Sequence, residues 1–126
     1  MSHSVAYDAE GGWIVIHFYG QVGLPELEVV IEEMMHVSKV QQCFKILTDF
    51  REATYMLSVS EIYAVPYMIS EWASTFGLPN YKFRRALVVA QRTQDFQFFE
   101  NVSRNNGQYI KLFDDMELAK QWLQAS

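Results

Sequence analysis

The sequence predicts one α/β domain in which strands and helices follow the order ββαβαβαβα around a mostly parallel central sheet. Three observations carry this reading. Apolar runs of strand length (Trp13–Tyr19, Lys45–Phe50, Ala86–Ala90 and Tyr109–Phe113) alternate with segments whose apolar residues recur at helical spacing. A glycine-bearing turn precedes the first long run, as in a hairpin. The length, 126 residues, suits a single domain. Alternating strands and helices imply parallel neighbours joined by right-handed crossovers, in a three-layer or superhelical arrangement.

Val5–Asp8 is a short extended segment, and Glu10-Gly11-Gly12 offers the left-handed turn of a hairpin. Trp13–Tyr19 is apolar on both alternating faces, so it belongs inside a sheet; Gly20 and Gly23 end it. Leu24–Val37 reads as a helix. Pro25 suits its first turn, Leu27, Val30, Ile31 and Met34 form its apolar stripe, and Glu28, Glu32 and His36 form its wet face. Lys45–Phe50 is a second buried strand, running into a polar loop at Arg51–Thr54.

Ser58 and Glu61 have the spacing of a capping box, with Leu57 and Ile62 placed as a hydrophobic staple. The helix they open buries Ile62, Val65, Ile69, Ala73 and Phe76, and Pro66 inside it predicts a kink or a break. After a loop at Gly77–Asn80 comes the strand Ala86–Ala90. Asp95–Asn106 is a helix with Phe96, Phe99 and Val102 inward, closed by Asn106-Gly107. Tyr109–Phe113 is the last strand. Asp114 and Glu117 repeat the capping-box spacing before a final helix that turns Leu118, Ala119, Trp122 and Leu123 inward. Ile14, Ile16, Ile46, Leu47, Val88, Val89, Ile110 and Leu112 are expected to lie buried in one sheet.

Half of the residues are hydrophobic and 20% are charged, which excludes a disordered chain. The net charge of −5 argues against a nucleic-acid binder. It is unevenly spread. Residues 1–63 carry three basic and nine acidic side chains, residues 64–126 seven and six. No acid lies between Trp72 and Gln94, a stretch that holds Lys82, Arg84, Arg85 and Arg92 and reads as a solvated face. Cys43 is the only cysteine, so no internal disulfide forms and a reducing compartment is expected. Residues 1–7 lack the pattern of a signal peptide, and Trp13–Tyr19 is too short to span a bilayer. The expected location is cytoplasmic.

The chain has no HExxH, CxxC, GxSxG or GxxxxGK[ST] pattern, and His3, His17 and His36 have no second ligand at metal-binding spacing. No catalytic residue, metal site or cofactor is expected. Gly20-Gln21-Val22-Gly23 reads as a strand-to-helix turn, since a dinucleotide fingerprint needs a third glycine and a later acidic partner. His17, on a strand face with Trp13, Val15 and Tyr19, reads as a buried, hydrogen-bonded histidine.

Ligands of parallel α/β sheets gather at the carboxyl ends of the strands. There Asp49, Arg51 and Arg92, together with Ser58, form a candidate recognition surface, while capping accounts for Asp114. Tyr63, Tyr67, Trp72 and Phe76 on the proline-bearing helix, with Phe96, Phe98 and Phe99 on the next, supply either ordinary core or the wall of an apolar pocket. The surplus of aromatic residues predicts a homodimer.

Several local patterns resemble the STAS superfamily (sulfate transporter and anti-sigma factor antagonist domains), more narrowly its SpoIIAA-like branch. They are Gly20 followed by Leu24-Pro25-Glu26-Leu27, the Lys45–Phe50 strand, Ser60-Glu61-Ile62, Arg85–Val89, and the ending Phe113-Asp114-Asp115 through Ala119 to Trp122-Leu123. The resemblance covers nearly the whole chain. It implies a small superhelix of strand–helix units, a fold shared with the lipid-binding CRAL-TRIO domains. It also implies two functions: regulated binding of a protein partner, switched by phosphorylation of a serine before the second main helix, or the holding of a small apolar or lipid-like ligand. Tyr63 and Tyr67 then join the binding residues, and Ser58 and Ser60 are the candidate phosphorylation sites. The family's phosphorylated motif reads Asp-Ser-Ser/Thr-Gly. Here the corresponding stretch is Met56-Leu57-Ser58-Val59-Ser60, without the acid or the glycine.

Overall fold

The computed structural model describes residues 3–126. Five strands and four helices follow one another as β1 (His3–Asp8), β2 (Trp13–Val22), α1 (Leu24–Gln41), β3 (Lys45–Tyr55), α2 (Val59–Thr75), β4 (Arg84–Val88), α3 (Gln94–Asn105), β5 (Tyr109–Phe113) and α4 (Met116–Gln124), with one 3₁₀ turn at Asn80–Lys82. This is the order the sequence predicts. The strands lie side by side in chain order, β1 antiparallel to β2 and the rest parallel. The sheet grows by one strand in one direction at each step, so right-handed crossovers place α1, α2 and α3 on the same face. Only α4, which follows the last strand, packs on the other face, against β3, β4 and β5.

All eight residues expected in the sheet interior are buried, none more than 3% exposed. Alternation along the strands splits the core in two. Ile14, Ile16, Ile46, Leu87, Ile110 and Leu112 face α1–α3, while Trp13, Leu47, Ala86, Val88 and Phe113 face Ala119 and Leu123 of α4. Leu118 points to solvent instead of the core, at 53% exposed. Asp115, one residue later than the spacing suggests, caps α4 by accepting from Leu118 N at 3.1 Å.

Several strand ends differ from expectation: β1 begins at His3 rather than Val5, and β4 ends at Val88 rather than Ala90. β2 does not stop at Gly20; it runs to Val22, with Gly20 taking the positive φ that glycine tolerates. β4 begins at Arg84 and takes in Arg85. β3 runs through the expected loop to Tyr55, because a bulge lets it. The register passes from His17 opposite Asp49 to Tyr19 opposite Glu52, which inserts one extra residue in β3. That insertion reverses the alternation: Ile46 and Phe50 face α1–α3 before it, Ala53 and Tyr55 after it.

α2 is continuous through Pro66, with neither end of the helix at the proline. Ile62 and Val65 before it and Ile69 and Ala73 after it are buried. At about 1.5–3 kcal/mol for each large apolar side chain, this burial outweighs the roughly 3 kcal/mol that an interior proline costs. The backbone of α2 packs mainly on α1 and α3 rather than directly on the strands. A space is left beneath it.

Candidate functional site

That space is an apolar cavity of about 110 Å³ between the sheet and α1–α3. Ile16 and Phe18 of β2, Leu27, Val30 and Met34 of α1, Ile62 and Ile69 of α2, and Phe96 and Phe99 of α3 contribute to its wall. Of its twenty lining residues only Arg85 and Asp95 carry charge. Asp95, in the first turn of α3, accepts a hydrogen bond from the Tyr55 hydroxyl. Burial first, then that bond and the Asp95 charge, push the Tyr55 phenol up to about 12.

Arg85 is 7% exposed. Its strand phase is that of Leu87 and Val89, toward α1–α3. The one side-chain hydrogen bond of its guanidinium among the described residues runs from Nη2 to Gln108 Oε1, 2.6 Å. Gln108 spends its own amide on the Pro66 carbonyl at 2.6 Å and on Ser70 Oγ at 3.1 Å. Burial alone lowers Arg85, to about 10, so it remains charged at neutral pH.

Above the cavity, Val59, Tyr63 and Tyr67 form an exposed apolar stripe at helical spacing on the outer side of α2, with Met56 just before the helix, all 49–61% exposed. Ser58 and Ser60 lie within it. Ser58 is the cap the sequence predicts: its Oγ accepts from Glu61 N at 3.2 Å, and Glu61 Oε1 accepts from Ser58 N at 2.9 Å. Ser60 Oγ is 3.1 Å from Ser58 Oγ. Tyr63 meets Phe98 edge-on at 5.0 Å. Of the aromatic residues offered as a pocket wall, Phe96 and Phe99 border the cavity. Tyr63, Tyr67, Trp72, Phe76 and Phe98 do not, because helical spacing turns them outward or toward neighbouring helices.

The recognition surface proposed from the strand ends does not assemble. Asp49 lies on the α4 side of the sheet, held by Arg51 through Nε at 2.9 Å, Nη2 at 3.0 Å and the backbone N at 3.1 Å. Burial would raise the Asp49 carboxyl, but the Arg51 bonds, the Arg51 charge and His17 together leave it below the ordinary carboxylate value. Arg92 donates to the Leu112 carbonyl at 2.9 Å and sits 3.6 Å from Asp114, so Asp114 is an ion-pair partner rather than a cap. Ser58 belongs to α2, on the other face. His17 is half-buried and hydrogen-bonded, but to the exposed Glu52 at 2.9 Å rather than inside the core.

Nor do the basic residues form one solvated face. Arg84 lies over the Tyr109 ring at 4.0 Å, Lys82 approaches Phe44, and Arg85 is buried. The glycine-flanked turn does not cradle an anion, since Glu26 Oε2 accepts from Gly23 N at 2.9 Å. Among the described residues no three His, Cys, Asp or Glu side chains gather as metal ligands, and no helix is long and apolar enough to cross a membrane.

Arg85, Asp95 and Tyr55 line the cavity and Gln108 bonds Arg85, and no sequence pattern singles these residues out as a site. The alternation of Arg85, Leu87 and Val89 with Ala86 and Val88 does put the arginine on a buried face.

Solved structures share this fold. The chain has a SpoIIAA-like fold. It is similar to an uncharacterised DUF3478-family protein with a SpoIIAA-like fold from Shewanella loihica PV-4, at 14% identity over 97% of this chain and 92% of that one, TM-score 0.59. It is similar to the anti-sigma factor antagonist SpoIIAA in its unphosphorylated form, at 13% identity over 99% and 100%, TM-score 0.59. A third likeness is to the phosphorylated form of the Bacillus cell fate determinant SpoIIAA, at 11% identity over 96% and 99%, TM-score 0.52. No family model and no curated protein sequence matches the chain.

Proposed function

We propose that this chain is a non-catalytic regulatory module of STAS type that binds a protein partner through the amino-terminal half of α2. The observation that carries the reading is the exposed stripe Met56, Val59, Tyr63 and Tyr67 surrounding Ser58 and Ser60. Tyrosine-rich exposed apolar surface beside a helix start is suited to recognition, because it supplies contact area at low conformational cost. The fold likeness to an anti-sigma factor antagonist known in phosphorylated and unphosphorylated forms supports it. A phosphate on Ser58 or Ser60 would sit at a helix N-terminus, where the free amides favour negative charge, and would act on partner binding rather than on the helix.

The test is photo-crosslinking from position 63, with position 120 on α4 as control, followed by reconstitution with the purified partner. Tyr63→Ala with Tyr67→Ala should weaken that complex at least tenfold. A partner captured from position 120 alone would overturn the α2 assignment.

The cavity favours a second reading, the holding of a small apolar ligand. Its volume sets a size limit. An engineered cavity of roughly 150 Å³ takes benzene, so the space beneath α2 suits a small group and not a whole lipid. Native mass spectrometry of the purified protein would reveal such a ligand as added mass, and a retained long-chain lipid would contradict the size limit.

A further inference from the structure

We propose that Arg85 is an anion anchor, and that the cavity selects small amphiphiles bearing one carboxylate and a short apolar body. The proposal rests on the second reading above, that the cavity takes a ligand, and is independent of docking at α2.

The argument begins with charge. Arg85 is more than nine-tenths buried and borders a mostly apolar space whose only other charged wall residue is Asp95. A buried guanidinium normally has a carboxylate beside it. Arg51 has Asp49 and Arg92 has Asp114, yet among the described residues no acid lies within ion-pair distance of Arg85. Its only side-chain partner among the described residues is the neutral Gln108. Among the described residues the guanidinium forms no other side-chain hydrogen bond, and Arg85 is part of the cavity wall.

The other charged residue of the wall is distant along the strands. Arg85 shares a rung with Ile46, whereas Tyr55, which holds Asp95, lies nine residues further along β3. The cavity therefore has a cationic end and an acid–phenol end, joined by apolar wall. An anion entering it meets its counter-charge at Arg85 and is repelled at Asp95, which fixes its orientation.

The chemistry selects the ligand. The planar guanidinium fork matches a carboxylate, and a single cation neutralises a single negative charge. The volume leaves room for a body of a few carbon atoms behind the carboxylate.

Three probes separate this proposal from the reading beneath it. Xenon reports whether the cavity accepts any apolar occupant. Isovalerate and its neutral isostere isovaleramide report whether charge matters. In amide and Arg Nε–H NMR spectra of the whole chain, xenon should perturb residues around Phe96 and Ile69. Isovalerate should bind at least tenfold tighter than isovaleramide and shift the Arg85 Nε–H signal. Arg85→Met should keep xenon binding and abolish the tenfold preference, while Arg85→Lys should keep part of it. Equal binding of acid and amide, or a preference that survives Arg85→Met, overturns the anchor and leaves the cavity. If Arg85→Met does not fold, the wild-type comparison and the Arg85 signal decide alone. Absence of xenon binding overturns both.

Discussion

Asp49 and Arg85 are buried to almost the same degree, 9% and 7% exposed, on opposite faces of one sheet. Their surroundings treat the charge in opposite ways. Around Asp49 the fork and backbone of Arg51 supply three hydrogen bonds, which together with the Arg51 charge and His17 hold the carboxyl below its ordinary value despite burial. Arg85 has a neutral amide and no acid, and burial alone lowers it to about 10. Burial by itself thus says little about whether a charge stabilises the fold; its partner decides. A charge buried without a counter-charge points to a use elsewhere.

The sharpest way to break this comparison is to remove the unpartnered charge. Arg85→Met keeps the length and apolar stem of the side chain, and should stabilise the domain by about 1–4 kcal/mol in urea unfolding at pH 7. The sign follows from linkage. The folded value, about 10, lies below the unfolded one, so the charged form is penalised at every pH below about 10, and the penalty is relieved as pH rises beyond it. The gain from Arg85→Met should accordingly be constant from pH 6 to 9. A loss of stability instead would mean that the Gln108 bond outweighs the desolvated charge, and that Arg85 is held for structure.

How far the sequence reaches is visible in the same residues. Element order and the sheet interior were legible because apolar periodicity is set by the side of the sheet or helix on which each residue lies. Arg85 reads as part of a solvated face because the apolar run of β4 starts only at Ala86. Tyr55 was lost because the bulge in β3 reverses the alternation, and no local residue pattern announces an extra residue opposite Phe18. Pro66 misled in the opposite direction: its local cost was legible, and the burial on either side that outweighs it was not. The cavity was beyond reach for a related reason, since the height of α2 above the sheet depends on how α1 and α3 support it.

A smaller effect tests the polar partner at the helix start. Ser58→Ala removes the acceptor for Glu61 N and should cost about 0.5–2 kcal/mol, whereas Ser58→Asp, which also caps, should keep the melting temperature within a few degrees. Unfolding of the aspartate variant would refute the cap. Smaller again is Arg51→Ala. The Arg51 backbone bond to Asp49 survives and the lost side chain is half exposed, so the expected cost at pH 7 is only about 1 kcal/mol. Asp49 in the wild type adds stability that is fully present above about pH 4 and is lost as pH falls through its lowered folded value. The gap between wild type and variant should therefore narrow from pH 7 to pH 3. A gap that stays constant would show that Arg51 acts through packing.

The smallest expected effect belongs to Ser60, which repeats the contrast between a committed polar group and a free one on the scale of two hydroxyls. Ser58 Oγ is tied to a backbone amide; Ser60 Oγ is exposed and meets only Ser58 Oγ. Ser60→Ala should change stability by less than about 0.5 kcal/mol, as for surface positions without a special contact. That makes it the cleaner probe of regulation, because any effect on partner affinity cannot be traced to a weakened helix. If α2 docks the partner, Ser60→Glu should alter the affinity measured by titration calorimetry while the urea midpoint stays within error of the wild type. An unchanged affinity alongside an unchanged midpoint would remove Ser60 from the regulatory surface and leave Ser58, with its capping role, as the serine to test.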